Sequence, residues 1–180
     1  MNRNTLYIAY GSNLNLRQMA VRCPTAKVVG ASELKDYELL FRGGRRGAVA
    51  TVEPKEGCNV PVLIWKLKER DLLALDRYEG WPSFYRKELH DVELGGKSIP
   101  AMVYVMNGGH DLGSPSDYYY NTIREGYESA GFDTDFLDRA VDNSIQRAEQ
   151  EYLLELEELE AQRLGDAEFE QGSLFDMKWW

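Results

Sequence analysis

The sequence has few of the residues that build metal sites and disulfide frameworks. Its 180 residues include two cysteines, Cys23 and Cys58, and two histidines. The cysteines form no C-x-x-C pair, and this spacing argues against both a zinc knuckle and a disulfide scaffold. We therefore expect two reduced, partly buried thiols, and we expect no metal ion or other cofactor.

Long apolar runs and basic clusters are also missing. No run approaches the roughly 20 apolar residues that span a bilayer, and the N-terminal Met-Asn-Arg-Asn lacks the hydrophobic segment of a signal peptide. We expect a cytoplasmic protein with no membrane contact. Residues 135–180 hold 13 acidic and 4 basic side chains, so the whole net charge of -9 falls there. The neutral remainder predicts a small-molecule ligand and no direct nucleic-acid binding.

The stretch that organises the chain lies near the N-terminus. Residues 5–9 form an apolar, β-branched and aromatic run typical of a buried strand, which breaks at Gly11 into a turn. Ser12, Asn13 or Asn15 then caps a short helix. Unpaired N–H groups at such a helix start favour a carboxylate or phosphate. The same residues are equally compatible with a purely structural connection.

A carboxylate in an unfavourable position ends a second helix. Apolar residues at helical spacing predict a helix over residues 69–78, and Gly80 is placed to terminate it. Glu79 therefore lies at the negative end of the helix dipole, and burial there would raise its pKa. A functional carboxylate explains this position, and so does a side chain that points into water.

The remaining patterns predict a mixed α+β domain. Strands are predicted at residues 26–30, 37–41, 48–52, 60–65, 84–94 and 99–106, with a hairpin corner at Gly95-Gly96. The glycine-rich residues 42–47 lack the spacing of a phosphate-binding loop and predict a hairpin or connection. Three adjacent tyrosines, residues 118–120, begin a helix that closes at Gly131. Because they cannot share one helix face, at least one is exposed or lines a cleft.

The C-terminal quarter divides into a helix and a tail, separate from a domain over residues 1–134. Apolar residues step by three and four over 135–164, which predicts one long amphipathic helix with an acidic outer face. This helix packs on the body or pairs with another chain as a homo-oligomer. In the acidic, aromatic tail, residues 165–180, Gln171, Leu174 and Phe175 resemble the short motif with which bacterial proteins dock onto the DNA-polymerase sliding clamp. A tail that folds onto its own body or a partner subunit is the alternative.

Three motifs in order carry a resemblance to a known family. They are Tyr-Ile-Ala-Tyr-Gly-Ser-Asn-Leu at residues 7–14, Leu-Asp-Arg-Tyr-Glu-Gly at residues 75–80 followed by Tyr85-Arg86, and Ala-Met-Val-Tyr-Val-Met at residues 101–106. Together they resemble the gamma-glutamylcyclotransferase family over residues 5–133. Val62 departs from the pattern, because relatives often carry glycine there.

The resemblance implies a small mixed α/β fold around a compact β-barrel with a cavity and flanking helices. It also implies an enzyme that cleaves a γ-glutamyl amide by attack of the substrate's own α-amine. The products are 5-oxoproline and an amine or amino acid. By the same resemblance Glu79 is the catalytic acid/base, and the γ-glutamyl group contacts Tyr7, Ile8, Ala9, Tyr10, Gly11, Ser12, Asn13 and Tyr104.

Three other classes of function remain as alternatives. A metal-dependent hydrolase would have to use His90 with Asp91 or His110 with Asp111. A Cys-His nucleophile would need an activating context that neither cysteine has. A noncatalytic ligand-binding or adaptor protein would use the C-terminal helix and the clamp-like tail. Release of 5-oxoproline from γ-glutamyl compounds distinguishes the cyclotransferase from the adaptor.

Overall fold

The computed structural model describes residues 4–44 and 46–176, with side chains for residues 4–44 and 46–164. Among these residues, five strands form one sheet: β1 (Thr5–Ala9), β2 (Lys27–Arg42), β3 (Val49–Leu67), β4 (Tyr85–Leu94) and β5 (Lys97–Met106). A 3₁₀ turn, Ser12–Leu14, follows β1, and the helices are α1 (Leu16–Arg22), α2 (Glu69–Tyr78), α3 (Asp117–Ala130) and α4 (Thr134–Asp176). The predicted α+β class is confirmed.

The short strand β1 lies in the middle of the sheet, whose strand order is β2-β3-β1-β5-β4. It runs antiparallel to β3 and parallel to β5, so Tyr7 pairs with both Trp65 and Met102. Ile8 and Ala9 are completely buried in this position. A strand covered on both sides explains why the sequence shows a continuous apolar run there rather than an alternation.

The predicted β-barrel is wrong, because the sheet stays open between its two edge strands. β2 and β4 approach each other through side chains: Ser32 Oγ donates to the Glu93 carbonyl at 2.7 Å, and Tyr37 packs edge-on against His90. Within the described strands no backbone ladder joins β2 to β4. In a closed barrel the two edge strands would share backbone hydrogen bonds, whereas the described residues of β2 and β4 are joined through side chains.

Four of the predicted strands are in fact two long ones. β2 joins residues 26–30 and 37–41, and β3 joins residues 48–52 and 60–65. Lys35 pairs with Asn59 and Tyr37 pairs with Pro54, so residues 55–58 of β3 form an excursion opposite Asp36. The proline and glycine near this excursion resemble a strand-reversing turn in the sequence. The chain in fact reverses between the end of β2 at Arg42 and the start of β3 at Val49, and these two residues pair as in a hairpin.

Helix α3 fixes the turn that follows β1. A Cβ atom built on Gly126 would lie 2.6 Å from Leu14 Cβ, so only glycine lets α3 come this close to the turn. Asn15 Nδ2 donates to the Thr122 carbonyl at 3.0 Å, which adds a polar contact between the turn and α3. Leu14 is fully buried as a result. The turn after β1 is therefore held rigidly from behind.

The chain separates into two units, Met1–Ile145 and Gln146–Trp180, and α4 contributes to both. In the first unit Leu137 is buried, and Ser144 Oγ accepts a hydrogen bond from the Phe41 amide at 3.0 Å. In the second unit the helix continues through Asp176, beyond the predicted end at residue 164, and leucines such as Leu153 and Leu159 are exposed. The three-part division of the chain and the homo-oligomer remain predictions.

Several other predictions concern features outside the sheet. The side chains of Gln171, Leu174 and Phe175 lie outside the described residues, so the clamp motif stays a prediction. Cys23 is buried, Cys58 is partly exposed, and neither is in a disulfide. None of the described helices combines the length and the apolar character needed to cross a membrane. The cytoplasmic location also stays a prediction.

Candidate active site

The turn after β1 presents its polar side chains to one side of the sheet. Of the three candidate caps, Asn15 caps α1: its Oδ1 accepts from the amides of Arg17 at 3.0 Å and Gln18 at 3.1 Å. The side chains of Ser12 and Asn13 are therefore not used as caps. In a helical turn the first N–H groups have no partner within the turn, so the backbone at Ser12 and Asn13 adds donors to the same region.

Gly11 is required here for space. A Cβ atom at this position would lie 3.2 Å from Ala50 Cβ and 3.4 Å from the Tyr119 hydroxyl. Both of these residues line a cavity beside the turn. A side chain on residue 11 would therefore crowd the cavity wall, whereas glycine leaves the backbone of the turn accessible.

Glu79 closes α2 with its carboxyl group turned into the protein. Its amide donates to the Leu75 carbonyl at 2.8 Å, and Gly80 follows with φ +64°, which ends the helix. Burial raises the pKa of Glu79 from its ordinary 4.5 to about 7, although the hydrogen bond from Asn13 and the charge of Arg22 oppose this. The water-facing alternative for Glu79 is therefore wrong. At neutral pH this carboxyl group can both accept and give up a proton.

Asn13 connects the two sides of the site. Its Nδ2 donates to Glu79 Oε1 at 2.7 Å and to the Tyr7 hydroxyl at 2.7 Å, while its Oδ1 accepts from Arg22. Its backbone carbonyl accepts from Trp65 Nε1 at 3.1 Å. The three side-chain hydrogen bonds fix the orientation of the Asn13 amide, because a flip would turn its oxygen toward the Glu79 carboxylate and its nitrogen toward Arg22.

Tyrosine rings form most of the remaining wall. The rings of Tyr7 and Tyr104 meet edge to face with centroids 5.7 Å apart, and the Tyr10 hydroxyl donates to the Tyr104 carbonyl at 2.6 Å. Tyr85 donates to the Ala50 carbonyl at 2.7 Å. Burial raises the pKa of Tyr7 and Tyr10 well above the ordinary value. These side chains therefore remain neutral hydroxyl groups at physiological pH.

The structure brings most of the predicted site residues to one narrow cavity. Its lining consists of Tyr7, Tyr10, Gly11, Ser12, Asn13, Ala50, Glu79, Tyr85, Tyr104 and Tyr119. Ile8 and Ala9 do not line it, because both are buried in the core of the sheet. Their roles, like those of the lining residues, remain predictions.

Three lining residues were not predicted as site residues. Ala50 and Tyr85 lie within strands, and although Tyr85 belongs to the motifs that carry the family resemblance, no role was predicted for its side chain. Tyr119 belongs to the run of three tyrosines, of which at least one was expected to be exposed or to line a cleft. Tyr118 is 75% exposed, whereas Tyr119 reaches the cavity and accepts a hydrogen bond from the Ala50 amide at 3.2 Å.

The alternatives based on metal ligands and cysteine have little support near this cavity. His90 Nε2 lies 2.8 Å from Glu88 Oε2 at the sheet edge. In the described part of the chain, no three side chains of the types His, Cys, Asp and Glu are grouped closely enough to hold a metal ion. Burial raises the pKa of the Cys23 thiol to about 11, which disfavours the reactive thiolate.

Comparison with known proteins gives a consistent assignment. A family model described as "Gamma-glutamyl cyclotransferase, AIG2-like" matches residues 7–124. The chain is 28% identical over 143 residues to the gamma-glutamylcyclotransferase of Homo sapiens, covering 74% of this chain and 76% of the relative. It is 29% identical over 150 residues to that of Bos taurus, covering 78% of each.

The fold agrees with this assignment. A solved structure of a "Gamma-glutamyl cyclotransferase" superimposes with a TM-score of 0.69 at 28% identity, covering 77% of this chain and 86% of that one. The family model alone spans more than half of the sequence. The chain therefore belongs to the gamma-glutamyl cyclotransferase, AIG2-like family and is an enzyme of the gamma-glutamylcyclotransferase kind.

Proposed function

We propose that this enzyme cleaves a γ-glutamyl amide by intramolecular attack of the substrate's α-amine on its γ-carbonyl carbon. The products are 5-oxoproline and a free amine or amino acid. The observation that carries the proposal is Glu79, a buried carboxyl group with a pKa of about 7 that faces a cavity of neutral hydroxyl and amide groups. The names of the relatives from Homo sapiens and Bos taurus support the same reaction.

The reaction needs no nucleophile from the protein. The α-amine and the γ-carbonyl belong to one molecule and meet in a five-membered ring, so the cavity must only hold the substrate in a bent conformation. At neutral pH the amine is an ammonium ion, which has no lone pair to attack with. A base must therefore act first, and Glu79 is the only carboxyl group among the described residues that line the cavity.

Glu79 transfers each proton from the attacking nitrogen to the leaving nitrogen. The carboxylate takes one proton from the ammonium group, the new carbon–nitrogen bond forms, and the old amide bond breaks as the leaving nitrogen receives that proton. The ring nitrogen loses its second surplus proton by the same route. The amine therefore leaves as an ammonium ion, and Glu79 returns to the carboxylate.

The turn after β1 stabilises the negative charge of the substrate. The backbone N–H groups near Ser12 and Asn13 hold either the α-carboxylate or the oxyanion that develops on the γ-carbonyl oxygen. In both cases the requirement for glycine at position 11 follows, because a Cβ there would narrow the space beside Ala50 and Tyr119.

The test is release of 5-oxoproline, measured by mass spectrometry, from a panel of γ-glutamyl amino acids and γ-glutamyl amines. We expect turnover of at least one of these compounds. Glu79→Gln should lower kcat by about a hundredfold to ten-thousandfold, because only the proton-transferring group changes. Glu56→Gln is the matched control, since Glu56 is exposed on β3 and does not line the cavity.

Two results would overturn the proposal. If no compound of the panel yields 5-oxoproline with the wild-type protein, the reaction assigned here is wrong. If Glu79→Gln turns over like the wild type and like Glu56→Gln, Glu79 does not carry the protons. Substrate binding should persist in Glu79→Gln, because the amide keeps the size of the side chain and the acceptor oxygen that faces Asn13.

A further inference from the structure

Tyr7 and Tyr104, whose rings meet edge to face in the cavity, use their hydroxyl groups in opposite ways. The Tyr104 hydroxyl donates its proton to Asp76 Oδ1 at 2.5 Å. The same carboxylate oxygen accepts from Lys87 Nζ at 2.6 Å, and the Asp76 side chain is only 13% exposed. A hydroxyl group has one proton and two lone pairs. With its proton committed to a carboxylate, Tyr104 can offer a ligand only a lone pair.

The Tyr7 hydroxyl, in contrast, accepts a hydrogen bond from the protein and does not donate one to any described residue. Its hydroxyl oxygen accepts from Asn13 Nδ2 at 2.7 Å, and Asn13 cannot flip because Arg22 donates to its other side-chain atom. Within the described part of the chain, the Tyr7 proton has no acceptor. Tyr7 is therefore free to donate to a ligand, and burial keeps its pKa well above the ordinary value, so the proton is retained.

We infer that Asp76 is a positioning residue that makes Tyr104 accept a hydrogen bond from the substrate's α-ammonium group, while Tyr7 donates to a substrate oxygen. This inference rests on the proposed function and adds to it the orientation of the substrate. The ammonium group lies on the side of Tyr104 and Glu79, both of which are acceptors. The substrate oxygen lies on the side of Tyr7 and the turn, both of which are donors.

Lys87 identifies which property of Asp76 matters. Its ammonium group lies 2.6 Å from Asp76 and 4.4 Å from the centre of the Trp81 ring, so it neutralises the carboxylate locally. Asp76 therefore adds little net negative charge to the cavity. Its effect on a bound ammonium group comes through the Tyr104 hydroxyl, whose proton it withdraws. The role of Asp76 is therefore to make Tyr104 a hydrogen-bond acceptor, and it is not a general electrostatic attraction between the Asp76 carboxylate and the ammonium group.

Substitutions at position 76 can separate these two effects. Asp76→Asn removes the charge but keeps an oxygen that can accept from both Tyr104 and Lys87. Asp76→Ala removes the acceptor and frees the Tyr104 proton to point into the cavity. The inference therefore requires that asparagine preserves recognition of the ammonium group and that alanine does not. A role that depends on the charge of Asp76 would be lost in both variants.

The probes are L-glutamate and glutarate, which differ only in the α-ammonium group, with dissociation constants measured by titration calorimetry. In the wild type we expect glutamate to bind at least about tenfold more tightly, since a hydrogen bond to a charged group discriminates by that order. Asp76→Asn should keep this ratio within about twofold, and Asp76→Ala should lower it by about tenfold, to the part of the discrimination that Glu79 still provides. Asp91→Ala, at an exposed position in β4, should match the wild type.

Tyr104→Phe gives the same information if Asp76→Ala fails to fold, because it removes the acceptor and keeps the ring. Its ratio should also fall by about tenfold, as the lost bond involves a charged donor. The inference is overturned if the wild type binds both probes equally, if Asp76→Ala or Tyr104→Phe keeps the wild-type ratio, or if Asp76→Asn loses it. Equal weakening of both probes at an unchanged ratio would show a merely structural role and would also overturn it.

The binding experiment tests the inference about Asp76 independently of the proposed reaction. Neither probe contains an amide bond to cleave, so both dissociation constants are measured without turnover. A protein that discriminates glutamate from glutarate but releases no 5-oxoproline would contradict only the proposed function. A protein that releases 5-oxoproline but binds both probes alike would contradict only the inference about Asp76.

Discussion

The two ends of α2 each hold a buried carboxyl group, and the protein treats them differently. Asp71 in the first turn accepts from the Lys68 amide at 3.0 Å, the Thr25 amide at 3.3 Å and Thr25 Oγ1 at 2.6 Å. Glu79, which caps the other end, accepts from one side chain, that of Asn13. The first carboxylate is surrounded by donors, and the second has almost none.

The helix dipole increases this difference. Negative charge is stabilised at a helix N-terminus and destabilised at a C-terminus. Asp71 therefore has both the dipole and its hydrogen bonds in its favour, as expected of a residue that fixes the start of the helix. Burial raises the pKa of Glu79 to about 7, and its place at a helix C-terminus also disfavours the charged form. Under the proposed function, α2 therefore carries a stabilising carboxylate at its N-terminal end and the proton-transferring one at its C-terminal end.

The largest expected effect on stability is at the N-terminal end. Asp71→Ala removes the buried acceptor of the Lys68 amide and of the Thr25 amide and hydroxyl, so we expect the free energy of unfolding to fall by about 1–3 kcal/mol. Asp71→Asn keeps one acceptor oxygen and should lose less. Denaturant titration measures both. Turnover per folded molecule should stay near the wild-type value in each variant, and a strong loss of kcat at full folding would show that Asp71 also serves the reaction.

Asn13→Ala tests the C-terminal end of α2 by removing the hydrogen bond from Asn13 to the Glu79 carboxyl group. In the wild type kcat/KM should rise with pH through about 7, because Glu79 acts as a base only when ionised. The Asn13 bond lowers the pKa of Glu79, so its loss should move this rise to higher pH. We expect kcat/KM at pH 7 to fall by about tenfold to a hundredfold, since Tyr7 is also released. Asn59→Ala, at an exposed site, is the control, and an unmoved pH profile in Asn13→Ala would contradict the assignment.

Glu79→Gln should reveal the stability cost of the functional carboxyl group. Because the folded-state pKa is raised, the folded protein binds more protons than the unfolded chain between pH 4.5 and about 7, and stability falls as pH rises through this window. Above it the wild type bears the full cost, which glutamine avoids. We expect Glu79→Gln to be more stable than the wild type by about 1–2 kcal/mol at pH 8. The two proteins should converge below pH 4.5, and a constant difference across this range would exclude a buried, ionisable Glu79.

Much of the site was predictable because its signals are local in the sequence. Gly11 breaks an apolar strand, Gly80 ends a helix at Glu79, and Gly95-Gly96 forms a hairpin corner with positive φ at both residues. Each signal depends on a few consecutive residues. The unfavourable position of Glu79 at a helix end therefore follows from the sequence alone, whereas the burial of its carboxyl group depends on segments that are distant along the chain.

What could not be predicted depends on distant segments that meet in space. The sheet stays open between β2 and β4, and no local pattern indicates whether two edge strands join. The contact between Asp76 and Tyr104 links α2 to β5, and the contact between Arg22 and Asn13 links α1 to the preceding turn. Such pairs follow from the packing of elements, so a single sequence gives them no signature.

Among the substitutions around Glu79, Arg22→Met should change the pH dependence of kcat/KM least. The guanidinium group lowers the pKa of Glu79 by its charge and stacks on the Tyr78 ring 3.3 Å from its centre, but it is partly exposed. Water can replace it at Asn13 Oδ1, and solvent screens its charge. The rise of kcat/KM should therefore move to higher pH, but by less than in Asn13→Ala. Raising the salt concentration should move the wild-type profile toward that of Arg22→Met and leave the variant almost unchanged. A larger shift in Arg22→Met than in Asn13→Ala would mean that charge, rather than the amide hydrogen bond, keeps Glu79 ionisable near neutral pH.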